Sequence, residues 1–153
     1  APKDHSIDRG EINIPDEKMT KDVIAFLSEC KKNGESAGGI VTLSIKNVPA
    51  GLGEPVFDKL KADFAKAMLS LPACIGFSVA DGFQNAKLPG SQMSVDSKNF
   101  GGMEGGISNG EDIVLKLAFK APSTIGEKAK AGRHDPCILP RVVPVVEAMA
   151  KVV

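Results

Sequence analysis

Tryptophan and tyrosine are both absent from this chain of 153 residues. A chain so poor in flat side chains offers no platform for stacked bases. With 19 basic against 19 acidic residues it also carries no net field to collect a polyanion or an anionic bilayer. Those two deficits argue against a base-stacking nucleic-acid binder. No apolar run approaches the roughly 18 residues of a membrane span, and neither a leader nor membrane insertion is expected. Cysteine is scarce: Cys30, Cys74 and Cys137 are odd in number, widely spaced, and form no CxxC pair. No disulfide framework is expected, and a reducing, cytoplasmic compartment is. The dinucleotide fingerprint GxGxxG and the phosphate-loop GK[ST] are missing as well.

What is present fits one domain over residues 1–153, burying about 70% of its unfolded surface. The composition, 42% hydrophobic and 25% charged, is ordinary for a globular protein. Residues 1–16 read as an entry loop, with an edge strand around Ile12 and Ile14. From Glu17 to about Lys32, Met19, Val23, Phe26, Leu27 and Cys30 recur at helical spacing, and Gly34 is the expected C-cap. A strand follows from Ile40 to Val48, with Val41, Leu43 and Ile45 on one face. Pro49 to Pro55 forms a turn. A helix is then expected from about Val56 to Leu71, with Phe57, Leu60, Phe64, Ala67, Met68 and Leu71 as its stripe.

Ile75, Phe77 and Val79 alternate as another strand, stopped by Asp81-Gly82. Residues 84–111 show almost no periodicity and hold six glycines. Ile113, Leu115, Leu117 and Phe119 define the last clear strand, and a polar loop is expected from Pro122 to Ala131. Pro140 and Pro144 place the start of a final helix near Pro144. The fold class is α+β, with antiparallel strands in one layer and amphipathic helices in another.

Four stretches are more polar or glycine-rich than a scaffold needs. Gly101 to Gly110 is either a flexible surface loop or a bend whose backbone passes close to an anion or a flat ring. Lys120-Ala121-Pro122-Ser123-Thr124 follows a strand and suits a phosphate by charge and hydroxyl donors, or else is a plain turn. Ser70-Leu71-Pro72-Ala73 reads as structural. Arg133-His134-Asp135-Pro136-Cys137 sets a guanidinium, an imidazole and a carboxylate side by side. Asp135 either handles a proton or caps a helix opening at Pro136, and His134 has no assigned role.

The stretch Arg133 to Cys137, followed by Arg141 and by Pro144-Val145-Val146-Glu147-Ala148-Met149, resembles the C-terminal signature of chorismate synthase. Pro49 through Leu60, Asp81-Gly82-Phe83, Gly105 through Glu111, and Ala118-Phe119-Lys120 resemble further segments of that family, in family order. The resemblance implies a β-α-β sandwich of antiparallel sheet and amphipathic helices, assembled as a homotetramer. It implies a phosphate lyase of the shikimate pathway in aromatic amino acid biosynthesis. The substrate is 5-enolpyruvylshikimate 3-phosphate and the product chorismate. The cofactor implied is reduced FMN, kept reduced at the expense of NADPH or another donor, with no metal. The compartment is the cytoplasm, or a plastid in a plant.

Matched position by position, the resemblance makes Asp135 the catalytic residue that helps handle the proton near the flavin. It makes Arg133, Gly105, Ala73 and the run Lys120, Ala121, Pro122, Ser123 and Thr124 cofactor-binding. The family's run reads Lys-Pro-Thr-Ser-Ser, and its Asn-Ala pair is here Pro72-Ala73. Its Gly-Glu-Ser-His-Gly and Ser-Ala-Arg motifs, which supply a catalytic histidine and arginines, do not occur, and neither His5 nor His134 stands in for them. The segments from Gly90 to Gly101 and before Gly132 are shorter than the family's. The chain is thus expected to be a carboxy-terminal portion of such an enzyme. The alternative is a flavin- or phosphate-binding or structural fragment that lacks the chemistry.

Overall fold

The computed structural model describes residues 10, 12–14, 16–132 and 134–153. Their contacts divide the chain into two compact units, residues 1–38 with 121–143, and residues 39–120 with 144–153.

The second unit is built on a three-stranded sheet of β1 (Gly39–Ile45), β2 (Cys74–Val79) and β5 (Ile113–Phe119), with β5 in the centre. Both neighbours run antiparallel to β5 and therefore parallel to each other. Their connection is a crossover through helix α2 (Leu60–Leu69), a split β-α-β unit. The alternation read from the sequence sets the faces. Ile113, Leu115 and Leu117 are fully buried and Phe119 nearly so, while Val114, Lys116 and Ala118 on the other face are half-buried. Register places Leu43 and Val79 on either side of Leu115. Leu60, Phe64 and Met68 bury the inner face of α2.

Strand and helix limits differ from expectation: β1 ends at Ile45, not Val48, and α2 at Leu69, not Leu71. α2 begins at Leu60, not Val56, so Phe57 lies outside the helix and is 87% exposed instead of belonging to its stripe. The segment before it is held as a loop: buried Ser108 donates to the Pro49 carbonyl at 2.6 Å and accepts from the Leu52 N–H at 2.8 Å. In β2 a bulge between Cys74 and Gly76 turns Ile75 outward, which breaks the inferred alternation. The aperiodic residues fold into the short helices α3 (Gly82–Asn85) and α4 (Gly90–Met93), a 3-10 turn at Ser97–Phe100, and the hairpin β3 (Met103–Glu104) and β4 (Ile107–Ser108).

In the first unit, α1 spans Glu17–Asn33. Asp16 caps it by accepting from the Met19 N–H, and Gly34 ends it at φ 69°, its N–H and that of Glu35 returning to the Cys30–Lys31 carbonyls. Of the apolar stripe only Cys30 is buried, and Met19 and Phe26 are exposed, because the stripe is wider than the face covered within this unit. Residues 127–131, read as loop, form α5 (Glu127–Ala131), which packs on α1. At residues 12–13 the chain turns, so no strand forms there, and the rest of the expected N-terminal loop lies largely outside the described residues.

The last helix, α6 (Leu139–Ala150), starts five residues before Pro144 and carries that proline inside. Pro140 falls in the first turn, where an N–H would have had no partner. Pro144 deprives the Pro140 carbonyl of its helical donor, and Asn13 Nδ2 supplies one at 2.6 Å. Asn13→Ala is expected to destabilise the protein by about 1–2 kcal/mol, since it orphans this carbonyl and places alanine at φ 59°. Urea unfolding reads this as a lowered midpoint. No helix among the described residues is long and apolar enough to cross a membrane.

Candidate functional site

In the first unit the segment leaving α1 gathers two of the inferred stretches. Ser36 Oγ donates to the Pro122 carbonyl at 2.7 Å, the Ala37 N–H donates to the Pro136 carbonyl at 2.8 Å, and the Gly126 N–H donates to the Gly34 carbonyl at 2.7 Å. Pro122, within the run Ala121 to Thr124, and Pro136, next to Asp135, are thereby tied to the same short segment. Ala121, Pro122 and Thr124 are half-buried and Ser123 is exposed. Sequence reasoning missed Ser36 and Ala37. Their only local signal was a Gly-Glu-Ser-Ala turn after a helix.

Asp135 does not cap α6, which opens four residues later. Its carboxylate instead meets Arg141: Nε lies 2.8 Å from Oδ2 and Nη2 donates to Oδ1 at 3.2 Å. The pair borders a cavity of about 240 Å³ with apolar walls from Ile24, Leu27, Pro136 and Pro140. His134 is exposed and its imidazole lies against Gly132, where a Cβ would come within 2.6 Å of the ring. Arg133 lies outside the described residues.

In the second unit Ala73 and Lys120 meet. The Lys120 N–H donates to the Ala73 carbonyl at 2.9 Å, one step beyond the Cys74–Phe119 pairing of β2 and β5. Ala73 is held at φ 65°, a left-handed conformation unfavourable to a side chain. Such strain at the junction of helix and strand marks a backbone whose direction matters. Ala73→Gly is expected to raise stability by up to about 1 kcal/mol, the relief of αL strain outweighing the entropy of glycine in the unfolded chain. A higher urea midpoint with unchanged slope checks this. Next to it, partial burial pushes the Cys74 thiol up from its ordinary value, against a weaker lowering by its contact with the Gly76 carbonyl.

Gly105 stands at the opposite end of the same sheet. It turns the β3–β4 hairpin at φ 59°, and no atom lies within 4 Å of the place a Cβ would take. Beside it the Gly106 carbonyl accepts from the Lys61 N–H at the start of α2. A cavity of about 450 Å³ opens here, lined by Gly105, Lys61, Val79, Asn85, Phe100 and Met103. β5 separates this end from Ala73 and Lys120 by seven residues, roughly 20 Å of strand. The unit thus joins Ala73 to Lys120 and holds Gly105 apart. No cluster of metal-binding side chains occurs among the described residues.

Residues 3–153 match a family model described as chorismate synthase. A chorismate synthase of Prochlorococcus marinus strain AS9601 is 44% identical over 173 aligned positions, covering 96% of this chain and 47% of the relative. That of Synechocystis sp. is 44% identical over 167 positions, covering 93% and 46%. That of Rippkaea orientalis is 40% identical, covering 97% and 48%. A crystal structure of chorismate synthase superposes with a TM-score of 0.81 at 30% identity, over 95% of this chain and 44% of that one. The chain spans about half the length of the curated relatives it matches.

Proposed function

Because this chain belongs to the chorismate synthase family, we propose that it forms part of an enzyme that eliminates phosphate from 5-enolpyruvylshikimate 3-phosphate to give chorismate. In that reaction the C3–O bond to phosphate breaks and a proton leaves C6, with no net oxidation or reduction. The observation that carries the reading is that Pro122 of the Lys120–Thr124 run and Pro136, the neighbour of Asp135, are both held by the one segment Ser36-Ala37.

The chain's own residues suit a flavin in one specific respect. The space over Gly105 is vacant where a side chain would stand, beside apolar Val79, Phe100 and Met103, so a flat ring can approach the backbone there. Ser123 and Thr124 carry hydroxyls of the kind that bind a phosphate group. When bound, reduced FMN supplies electron density to the substrate as phosphate departs. Asp135 receives and passes on the proton, at a carboxylate already held in place. Ala73 and Lys120 fix the backbone at the other end of the sheet. Association as a homotetramer and a cytoplasmic location belong to the same proposal. So does completion of the site by residues beyond these 153, since Gly105 stands apart from Ala73 and Lys120.

The second reading, a flavin- or phosphate-binding fragment without turnover, is compatible with the share of the relatives that this chain spans. Titration with reduced FMN, followed by absorbance, tests the proposal. Saturable binding that Gly105→Asn weakens supports it; asparagine tolerates the left-handed backbone and fills the space above it. Absence of binding removes the flavin from this chain.

A further inference from the structure

Asp135 sits in an irregular segment, so its carboxylate would turn freely about two bonds unless something held it. Ion pairing does so here, from a residue that no motif singled out for a role. Arg141 lies in the first turn of α6 and presents two nitrogens to the two carboxylate oxygens, Nε at 2.8 Å from Oδ2 and Nη2 at 3.2 Å from Oδ1. A planar fork engaged at both oxygens fixes the plane of the carboxylate as well as its position, which a single ammonium contact cannot do. The backbone around the pair is also anchored. The Pro136 carbonyl accepts from the Ala37 N–H, and Cys137 is buried.

Side-chain exposures of 79% for Arg141 and 44% for Asp135 place the pair in solvent. At that exposure it adds little to stability. Its consequence is orientation, one carboxylate geometry maintained at the edge of the apolar cavity that both residues border.

We infer that Arg141 is a positioning residue for Asp135, aiming the carboxylate that handles the proton without itself touching substrate. The inference rests on the proposed role of Asp135, and it requires the fork, not merely the charge. Two substitutions separate these: Arg141→Gln removes the charge, and Arg141→Lys keeps the charge and loses the fork.

The experiment is solution NMR of the chain, reading the three-bond couplings that report χ1 of Asp135 and the water exchange of the Arg141 Nε–H. The wild-type protein is expected to show one dominant Asp135 rotamer and an Nε–H slowed roughly two- to fivefold relative to a free arginine, the factor corresponding to a solvent-exposed pair. Both Arg141→Gln and Arg141→Lys are expected to show rotamer-averaged couplings, with unchanged circular dichroism. Averaged couplings already in the wild-type protein, or a single rotamer retained in both variants, would overturn the inference.

A double-mutant cycle on FMN titration supplies the functional arm. Arg141→Gln is expected to weaken FMN binding roughly two- to fivefold in the wild-type background and to have no effect once Asp135 is asparagine. Equal effects in both backgrounds would mean that Arg141 acts independently of Asp135. If wild-type protein binds no FMN, the flavin reading fails, while the NMR arm still decides whether Arg141 holds the carboxylate.

Discussion

Replacing Asp135 with asparagine is expected to lower the rate of chorismate formation by roughly 10²–10⁴-fold in a polypeptide carrying this chain, the ordinary loss when a positioned general acid or base is removed. Asparagine has nearly the same shape as the carboxylate and fits the same space, although it offers Arg141 one acceptor oxygen where the carboxylate offers two. What it lacks is a group that can take a proton at neutral pH. Stability should change by no more than about 0.5 kcal/mol, because the pair is solvent-exposed and Asp135 caps no helix. Chorismate appearance under anaerobic conditions with reduced FMN reads the rate, and thermal unfolding reads the fold. A variant as fast as the wild type would remove Asp135 from the chemistry.

The second large effect is on folding. Leu115→Ala is expected to destabilise the protein by about 3 kcal/mol, within the 2–5 kcal/mol of buried leucine truncations. Leu115 is fully buried at the middle of the central strand, with Leu43 and Val79 opposite it on the two flanking strands. A strand held on both sides cannot shift to fill the space left, so the loss should sit within that range, not below it. Against a total of 5–15 kcal/mol this is a substantial fraction. Urea denaturation measures it. An exposed residue of the same element provides the contrast: Thr42→Ala, on the outward face of β1, should stay within about 0.5 kcal/mol.

The difference between those two substitutions follows from a pattern legible in the sequence. Period-two alternation from Ile113 to Phe119 and from Val41 to Ile45 specified which residues face the core; the structure buries Ile113, Leu115, Leu117, Phe119 and Leu43 and half-buries Val41 and Ile45. Gly34 likewise marked the end of α1, because few residues adopt a left-handed backbone there without strain. The elements that were misplaced depend on partners distant in the chain. α6 begins at Leu139 in spite of two prolines, and the donor that satisfies the Pro140 carbonyl is Asn13, 127 positions away. The start of α2 is delayed to Leu60 while the preceding loop is clamped by Ser108, which lies 59 positions from Pro49.

The same holds for the candidate site. Asp135 stood out as a carboxylate in a turn, and the capping alternative disappeared only once the helix start was located. The link from Ser36 to Pro122 spans 86 positions, and no local rule would have suggested it. Arg141 is only six residues from Asp135. That spacing has no helical or strand meaning across an irregular segment, so the pair became apparent only from the coordinates. The wide separation of Gly105 from Ala73 along β5 was equally invisible, since it depends on which strand ends up in the centre of the sheet.

The proposed elimination of phosphate, with this chain as part of the enzyme, is tested most directly by product analysis. A polypeptide carrying this chain is incubated with 5-enolpyruvylshikimate 3-phosphate under anaerobic conditions, with FMN either reduced or oxidised. Chorismate and inorganic phosphate released in equal amounts, with reduced FMN only, is the expected result. Substrate left unchanged in the presence of reduced FMN, or phosphate released equally with oxidised FMN, would contradict it.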